Sequence, residues 1–344
     1  VKVIIFVKGN PARIMSVRSA PAGEPMLNEP SSKKAKIEAA REPTKFEEDA
    51  RIYEYTSAAN PHMAPVPVAV LAADQHESGP TRIIPFDLSR QMHIEYPATS
   101  PNLLASFLRI CENESLTTHT AATSQAFYVI RGEGSSVSEL GLIEWSQGDL
   151  FVIPKCDKEV VHSATADTAI YWVNDNPLMQ YLGVVPSTKK FEVTLFKKER
   201  LLAEVERIKH QPGAEHRNRM GILLGNKITE DTTKTLTHTL WSLLNVLPAG
   251  DAQRPHRHNS VALDLCVWAE EGNKVYTMMG PELDEAGWVK NPQKCLWKTG
   301  AVFSTPPGWW HSHHNETGKP AWVLPMQDAG LYTHQRTLDI QFST

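Results

Sequence analysis

Two stretches near the C-terminal end decide how this chain reads: GDAQRPHRH at residues 250–258 and GAVFSTPPGWWHSHHN at residues 300–315. The first places His256 and His258 two positions apart, six and eight residues after Gly250. The second sets Gly300, Pro306, Gly308, His311 and Asn315 in the frame G-x5-P-x-G-x2-H-x3-N. Positions i and i+2 of a strand point to the same face, so His256 and His258 present two imidazoles side by side. His311 follows His258 by 53 residues, behind a Gly/Pro turn. A lone HxH is common by chance. HxH followed by a complete downstream frame is far more specific, and it points to three imidazoles converging on one divalent metal.

The rest of the chain sets the context. Its 344 residues are enough for two domains of ordinary size. A hydrophobic content of 41% and a charged content of 22% describe a soluble globular protein. The net charge of −4 argues against nucleic acid as the main partner, and no apolar run approaches the length of a membrane span. Cys111, Cys156, Cys266 and Cys295 are scattered without CxxC spacing, as expected of reduced thiols in a cytoplasmic protein. Val1 to Ala22 carries Lys2, Lys8, Arg13 and Arg18 and no acid. It reads as sequence ahead of a start at Met15, with an organelle-targeting segment as the alternative.

Residues 1–50 read as a mobile arm, with a short helix around Lys33 to Arg41. From 51 to 195, short apolar runs such as Phe127–Ile130 and Leu150–Ile153 alternate with turn residues, a strand-rich pattern. Between 196 and 215, Leu201, Leu202, Val205 and Ile208 recur at helical spacing, and Pro212-Gly213 ends the run. This is the linker helix to a second strand-rich unit at 216–344. The two units read as a repeat. His119 precedes His256 by 137 positions, and Gly148-x5-Pro154 precedes Gly300-x5-Pro306 by 152. The excess of 15 is placed in the polar stretch Gly280 to Lys294. On these offsets His256, His258 and His311 correspond to His119, Ala121 and Glu159. The first unit therefore keeps one aligned histidine, with Gln125 and His162 nearby, and is expected to be metal-free.

The paired motifs resemble the two signatures of the cupin superfamily, which implies an all-β chain of two double-stranded β-helix (jelly-roll) barrels, a bicupin. Within it, TLWSL at 239–243, LPAG at 247–250, HRHNSVAL at 256–263 and TPPGWWHSHHN at 305–315 resemble gentisate 1,2-dioxygenase and its relatives that cleave salicylate and hydroxynaphthoate. Likeness is good from about 217 to 330, weak from 100 to 185 and negligible before 60. The resemblance implies Fe(II) held by His256, His258 and His311, with Ni, Zn or Mn as alternatives, and an aromatic substrate and O2 as partners. It implies a catalytic role for His313 in holding or protonating substrate. Trp241, Asn245, where the family has glutamine, and Arg219 would touch substrate, as would Trp309 and Asp328. Trp268 and Trp310 would help Trp241 and Trp309 wall the pocket. The resemblance to cupin signatures also implies that many such sites add a glutamate four or five residues after the second histidine; here those positions are Ala262 and Leu263. In one departure the family's Ala-Leu-Arg reads Ala262-Leu263-Asp264, an anion in place of the arginine that faces the substrate carboxylate. Asp264 favours a substrate carrying an amine, a neutral phenol or a catechol. In another, the intact motif lies in the second barrel, whereas these relatives commonly keep it in the first. The expected protein is an extradiol-type dioxygenase and a homo-oligomer. The competing expectations are another metal cupin (decarboxylase, isomerase or lyase) and a non-catalytic binding cupin.

Overall fold

Strands whose two faces are both apolar organise the molecule. The computed structural model describes residues 44–214, 217 and 219–344; the basic start and the helix expected at Lys33 to Arg41 lie outside them. Residues 44–61 belong to a small unit of their own, in which the Glu54 side chain accepts hydrogen bonds from Thr56 and Ser57 and caps the one-turn helix Tyr55–Ala58.

From His62 onward, two six-stranded sheets and two smaller ones build a pair of all-β barrels. In the first, the large sheet runs in the order Thr194–Phe196, Leu150–Pro154, Ser124–Arg131, Thr168–Asn174, Leu104–Ile110 and Arg82–Pro85. Its even-numbered apolar residues at 126, 128, 150 and 152 pack with the second unit's Leu244, Leu263, Leu265 and Leu324. The intervening Phe127, Val129, Phe151 and Ile153 pack into the first barrel's own interior with Trp145 and Val160. A strand buried on both faces needs no polar alternation, which is why FYVI and LFVI read as unbroken apolar runs. The helix Lys198–Lys209 joins the units and buries Leu201, Val205 and Ile208.

The large sheet of the second unit runs Val70–Leu71, Val302–Thr305, Ala262–Trp268, Ala321–Gln327, Trp241–Leu247 and Met220–Leu224. Its edges show an exchange. Val70–Leu71 precedes the first barrel in sequence but pairs with Val302–Thr305 of the second, while Thr194–Phe196 precedes the second and pairs with Leu150–Pro154 of the first. Val70–Leu71, which sequence position alone puts in the first unit, therefore completes the sheet of the second.

The excess of 15 residues is divided, not confined to Gly280 to Lys294. One residue separates Ser124–Arg131 from Glu133–Ser138, whereas six separate Ala262–Trp268 from Val275–Gly280. Two residues separate Glu133–Ser138 from Gly141–Ser146, whereas twelve separate Val275–Gly280 from Gln293–Leu296. Two hairpins are lengthened, by five and by ten.

A pair of buried aspartates locks the barrels together. Asp175 accepts from the Thr123 and Ser124 amides at 2.7 and 3.1 Å, and from Thr239 Oγ1 of the other unit at 2.9 Å. Asp328 accepts from the Val261 amide at 3.0 Å and from Asn102 Nδ2 of the other unit at 2.7 Å. Burial raises both carboxyls, that of Asp328 to about 6. Removing the acceptor strands several buried donors, each costing about 1–3 kcal/mol. Asp175→Ala is therefore expected to lower stability by about 3 kcal/mol in equilibrium urea unfolding; a change below about 0.5 kcal/mol would show that the pair is incidental.

Candidate metal centre

The short strand His256–His258 lies between Trp310–Asn315 and the C-terminal strand Ile340–Phe342. Antiparallel register sets His256 opposite His311. The Pro306-to-Gly308 turn brings Trp310–Asn315 back across the barrel; Gly308 sits at φ 76°, a conformation costly for other residues, and its amide donates to the His258 carbonyl at 2.7 Å. The result is a cluster in which one nitrogen from each of His256, His258 and His311 lies within 4.8 Å of the others. Ring centroids are 4.0 Å apart for His256 and His311, 4.9 Å for His258 and His311, and 5.6 Å for His256 and His258.

Local chemistry fits a cation. The Nδ1 of His258 lies 2.8 Å from the Ser260 carbonyl, and that of His311 lies 3.1 Å from the Trp309 carbonyl. A carbonyl only accepts, so in each ring Nδ1 carries the proton and Nε2 keeps its lone pair. His258 Nε2 is buried without a hydrogen-bond partner among the described residues, an arrangement that a metal would satisfy. Burial, with the neighbouring imidazoles adding to it at His256 and His311, holds the three rings below the usual histidine range, His258 at about 4. They are neutral near pH 7, as ligation requires. His256 differs from the others: its Nδ1 lies 2.6 Å from Arg219 Nη2. The guanidinium only donates, so ligation through His256 Nε2 requires that ring to lose its proton or Arg219 to turn away.

Beside the triad is a cavity of about 220 Å³ lined by His313, Trp241, Leu243, Asn245, Asp264, Gln327, Phe342 and Arg219, among others. Period two explains the lining. Residues 241, 243 and 245 of one strand and 323, 325 and 327 of another face inward with Ala262 and Asp264, while Leu244, Leu263 and Leu324 face the other barrel. Asp264 is fully enclosed; Thr305 Oγ1 donates to it at 2.6 Å, but burial dominates and raises the carboxyl to about 7. The Asn245 amide donates to Gln253 Oε1 at 3.2 Å, leaving its own Oδ1 buried and unpartnered among the described residues. Burial lowers Arg219 only to about 10, so it remains cationic.

The structure thus brings His256, His258, His311, His313, Trp241, Asn245, Asp264 and Arg219 to one cavity. Trp309 and Asp328 do not line it. Trp309 packs against the barrel's apolar interior, and the Asp328 carboxylate is engaged by Val261 and Asn102. Trp268 and Trp310 also lie off the lining; Trp310 carries the Arg257 guanidinium 5.0 Å above its ring. Of the pair Gln327-Asp328, which matches a pocket-lining region of the resembled family, Gln327 and not Asp328 lines the cavity, as the alternation of residues 323–327 signals; Phe342, which stacks on His256 at 5.9 Å, has no counterpart among the expected residues. Phe342 reaches the site through pairing with a strand far away in sequence, for which no local signal exists.

The equivalent station of the first barrel is different. His119 and Glu159 are exposed. His162 is fully buried, with Ser136 Oγ 2.7 Å from Nδ1 and Thr118 Oγ1 2.9 Å from Nε2, and burial drives it down to about 3. It is a satisfied core histidine. The cysteines are free thiols, and no described helix is long and apolar enough to cross a membrane.

No family model matches the chain. It is 29% identical over 86 residues to 5-aminosalicylate 1,2-dioxygenase from Comamonas sp., a match spanning 25% of this chain and 23% of that protein. Among solved structures it is similar to salicylate 1,2-dioxygenase from Pseudaminobacter salicylatoxidans, with a TM-score of 0.65 at 16% identity, covering 86% of this chain and 95% of that one. The structure of that enzyme's adducts with gentisate superposes with a TM-score of 0.64 at 15% identity, covering 88% and 96%. Paired β-barrels, a joining helix and likeness to the salicylate 1,2-dioxygenase structures give this chain an all-β double-barrel fold of the bicupin type.

Proposed function

We propose that this bicupin is an Fe(II)-dependent, extradiol-type dioxygenase that opens the ring of a hydroxylated, single-ring aromatic compound. The observation that carries this reading is the triad of neutral imidazoles, without a carboxylate ligand, at the wall of a cavity sized for one ring. A dry cavity of about 150 Å³ suffices for benzene, so about 220 Å³ admits a ring with two or three small substituents. His256, His258 and His311 would hold the metal, which when bound orients substrate and O2 and relays electrons between them. The other residues act on the substrate. Trp241, Leu243 and Phe342 exclude water and pack on the ring. Asn245 Oδ1 and the Asp264 carboxylate offer acceptors to hydroxyl or amino substituents, and Arg219 offers a cation to an acidic one. His313 lines the same cavity and would meet a substrate oxygen. The likeness to a 5-aminosalicylate 1,2-dioxygenase agrees with an amine-tolerant pocket. We place the enzyme in the cytoplasm as a homo-oligomer.

The test is anaerobic loading with Fe(II), addition of gentisate, salicylate, 5-aminosalicylate or catechol, and admission of O2. The expected result is uptake of one O2 per substrate with a new ultraviolet absorbance from a ring-opened acid. An iron-loaded protein that consumes no O2 with any of them contradicts the proposal and favours a binding cupin. Tight zinc or nickel that iron cannot displace favours a non-oxygenase enzyme.

A further inference from the structure

The two barrels carry the same buried hydrogen-bonded chain, closed in one and open in the other. In the first, Trp145 Nε1 donates to Ser136 Oγ at 2.8 Å, and that hydroxyl lies 2.7 Å from His162 Nδ1. In the second, Trp297 Nε1 donates to Thr277 Oγ1 at 2.8 Å, and that hydroxyl lies 2.9 Å from His313 Nδ1. Cross-strand register agrees, with Ser136 opposite His162 and Thr277 opposite His313, and all these side chains are buried. The far ends differ. His162 Nε2 meets Thr118 Oγ1 at 2.9 Å. Register sets Thr118 opposite Val160 and His256 opposite His311, so His256, whose Nδ1 lies against Arg219, stands where Thr118 does and brings no hydroxyl. His313 Nε2 accordingly meets no hydrogen-bond partner among the described residues, and its ring lines the cavity.

We infer that Thr277, held by Trp297, is a positioning residue that sets His313 in the tautomer with its proton on Nε2 and so offers the cavity an N–H donor. An indole N–H can only donate. It occupies a lone pair of Thr277 Oγ1 and leaves the hydroxyl hydrogen to point at His313 Nδ1. A neutral imidazole that accepts at Nδ1 carries its proton at Nε2. The group this suits is an oxygen lone pair, such as a phenolate or carboxylate oxygen of the aromatic substrate. That identity rests on the proposed function; the tautomer does not.

The test separates the two. Ring-15N-histidine is incorporated into the full chain, and long-range proton–nitrogen correlations are recorded on metal-free protein, with His313 identified by its loss in His313→Gln. The expected spectrum shows His313 protonated at Nε2 in the unaltered protein and in Thr277→Ser. Thr277→Val should give a mixture or the Nδ1–H form. After iron loading, kcat should fall about tenfold in Thr277→Val, with KM changed less than twofold, and recover in Thr277→Ser. A proton on Nδ1 in the unaltered protein overturns the inference, as does a Thr277→Val spectrum identical to it. The expected tautomers in a protein that turns over no aromatic support the relay while overturning the dioxygenase reading.

Discussion

His258→Ala is expected to abolish metal binding and turnover while leaving the fold in place. His258 supplies a buried Nε2 with no partner among the described residues, and its ring is fixed by the Ser260 carbonyl. Loss of a residue that merely orients a ligand costs 10–100-fold in metal affinity, so loss of the ligand itself should cost at least about 100-fold. Two imidazoles cannot retain iron through gel filtration under such a penalty. The effect on folding runs the other way. An unsatisfied buried nitrogen costs about 1–3 kcal/mol, and removing it offsets the packing lost with the ring. The metal-free variant should lie within about 1 kcal/mol of the unaltered protein in urea unfolding, as expected where a site is held at the expense of stability. Elemental analysis checks the first half, and a variant that keeps stoichiometric iron contradicts the triad.

Asp264→Asn should exchange substrate preference. The carboxyl lies in the lining, one inward position deeper than Ala262, with its pKa raised to about 7 by burial and only one hydrogen bond, from Thr305, opposing that rise. Above pH 7 it is an anion in a poorly solvated cavity; below, it is neutral. The ratio of kcat/KM for 5-aminosalicylate over salicylate should therefore rise as pH increases through 7. In Asp264→Asn the ratio should be flat with pH and about tenfold lower at pH 8, corresponding to about 1.4 kcal/mol. A ratio removes pH effects common to both substrates. The stability sign also follows. The folded-state pKa exceeds the unfolded one, so this group stabilises the fold below pH 4 and loses that contribution as pH rises toward 7. Asp264→Asn should accordingly be no less stable than the parent at pH 8. A pH-independent ratio in the unaltered protein would remove Asp264 from substrate recognition.

What the sequence could disclose follows from where the information sits. His256 and His258 are legible as a pair because a strand's period of two guarantees a shared face, and the frame ending at His311 and Asn315 is long enough to be specific. Asp264 is legible for the same reason, two residues beyond Ala262. Trp309 and Trp310 are not. They directly precede His311, but the turn that ends at Gly308 decides which way they point, and neither lines the cavity. Asp328 directly follows Gln327, yet only Gln327 faces the site, because adjacent residues at a strand's end take opposite directions. The exchange of Val70–Leu71 is invisible since a two-residue strand has no periodicity, and Phe342 arrives by long-range pairing. The most instructive contrast is between His162 and His313. They share an indole–hydroxyl support and differ in Thr118 against His256, which leaves one imidazole capped and the other open. No local property of either histidine separates them.

X-ray absorption at the iron edge of the anaerobically loaded protein, compared with His258→Ala treated in the same way, tests the shared metal most directly. The expected result is one iron per chain with three imidazole nitrogens in its inner sphere, and no bound iron in the variant. Iron bound with fewer than three imidazoles, or a spectrum unchanged by the substitution, would contradict it.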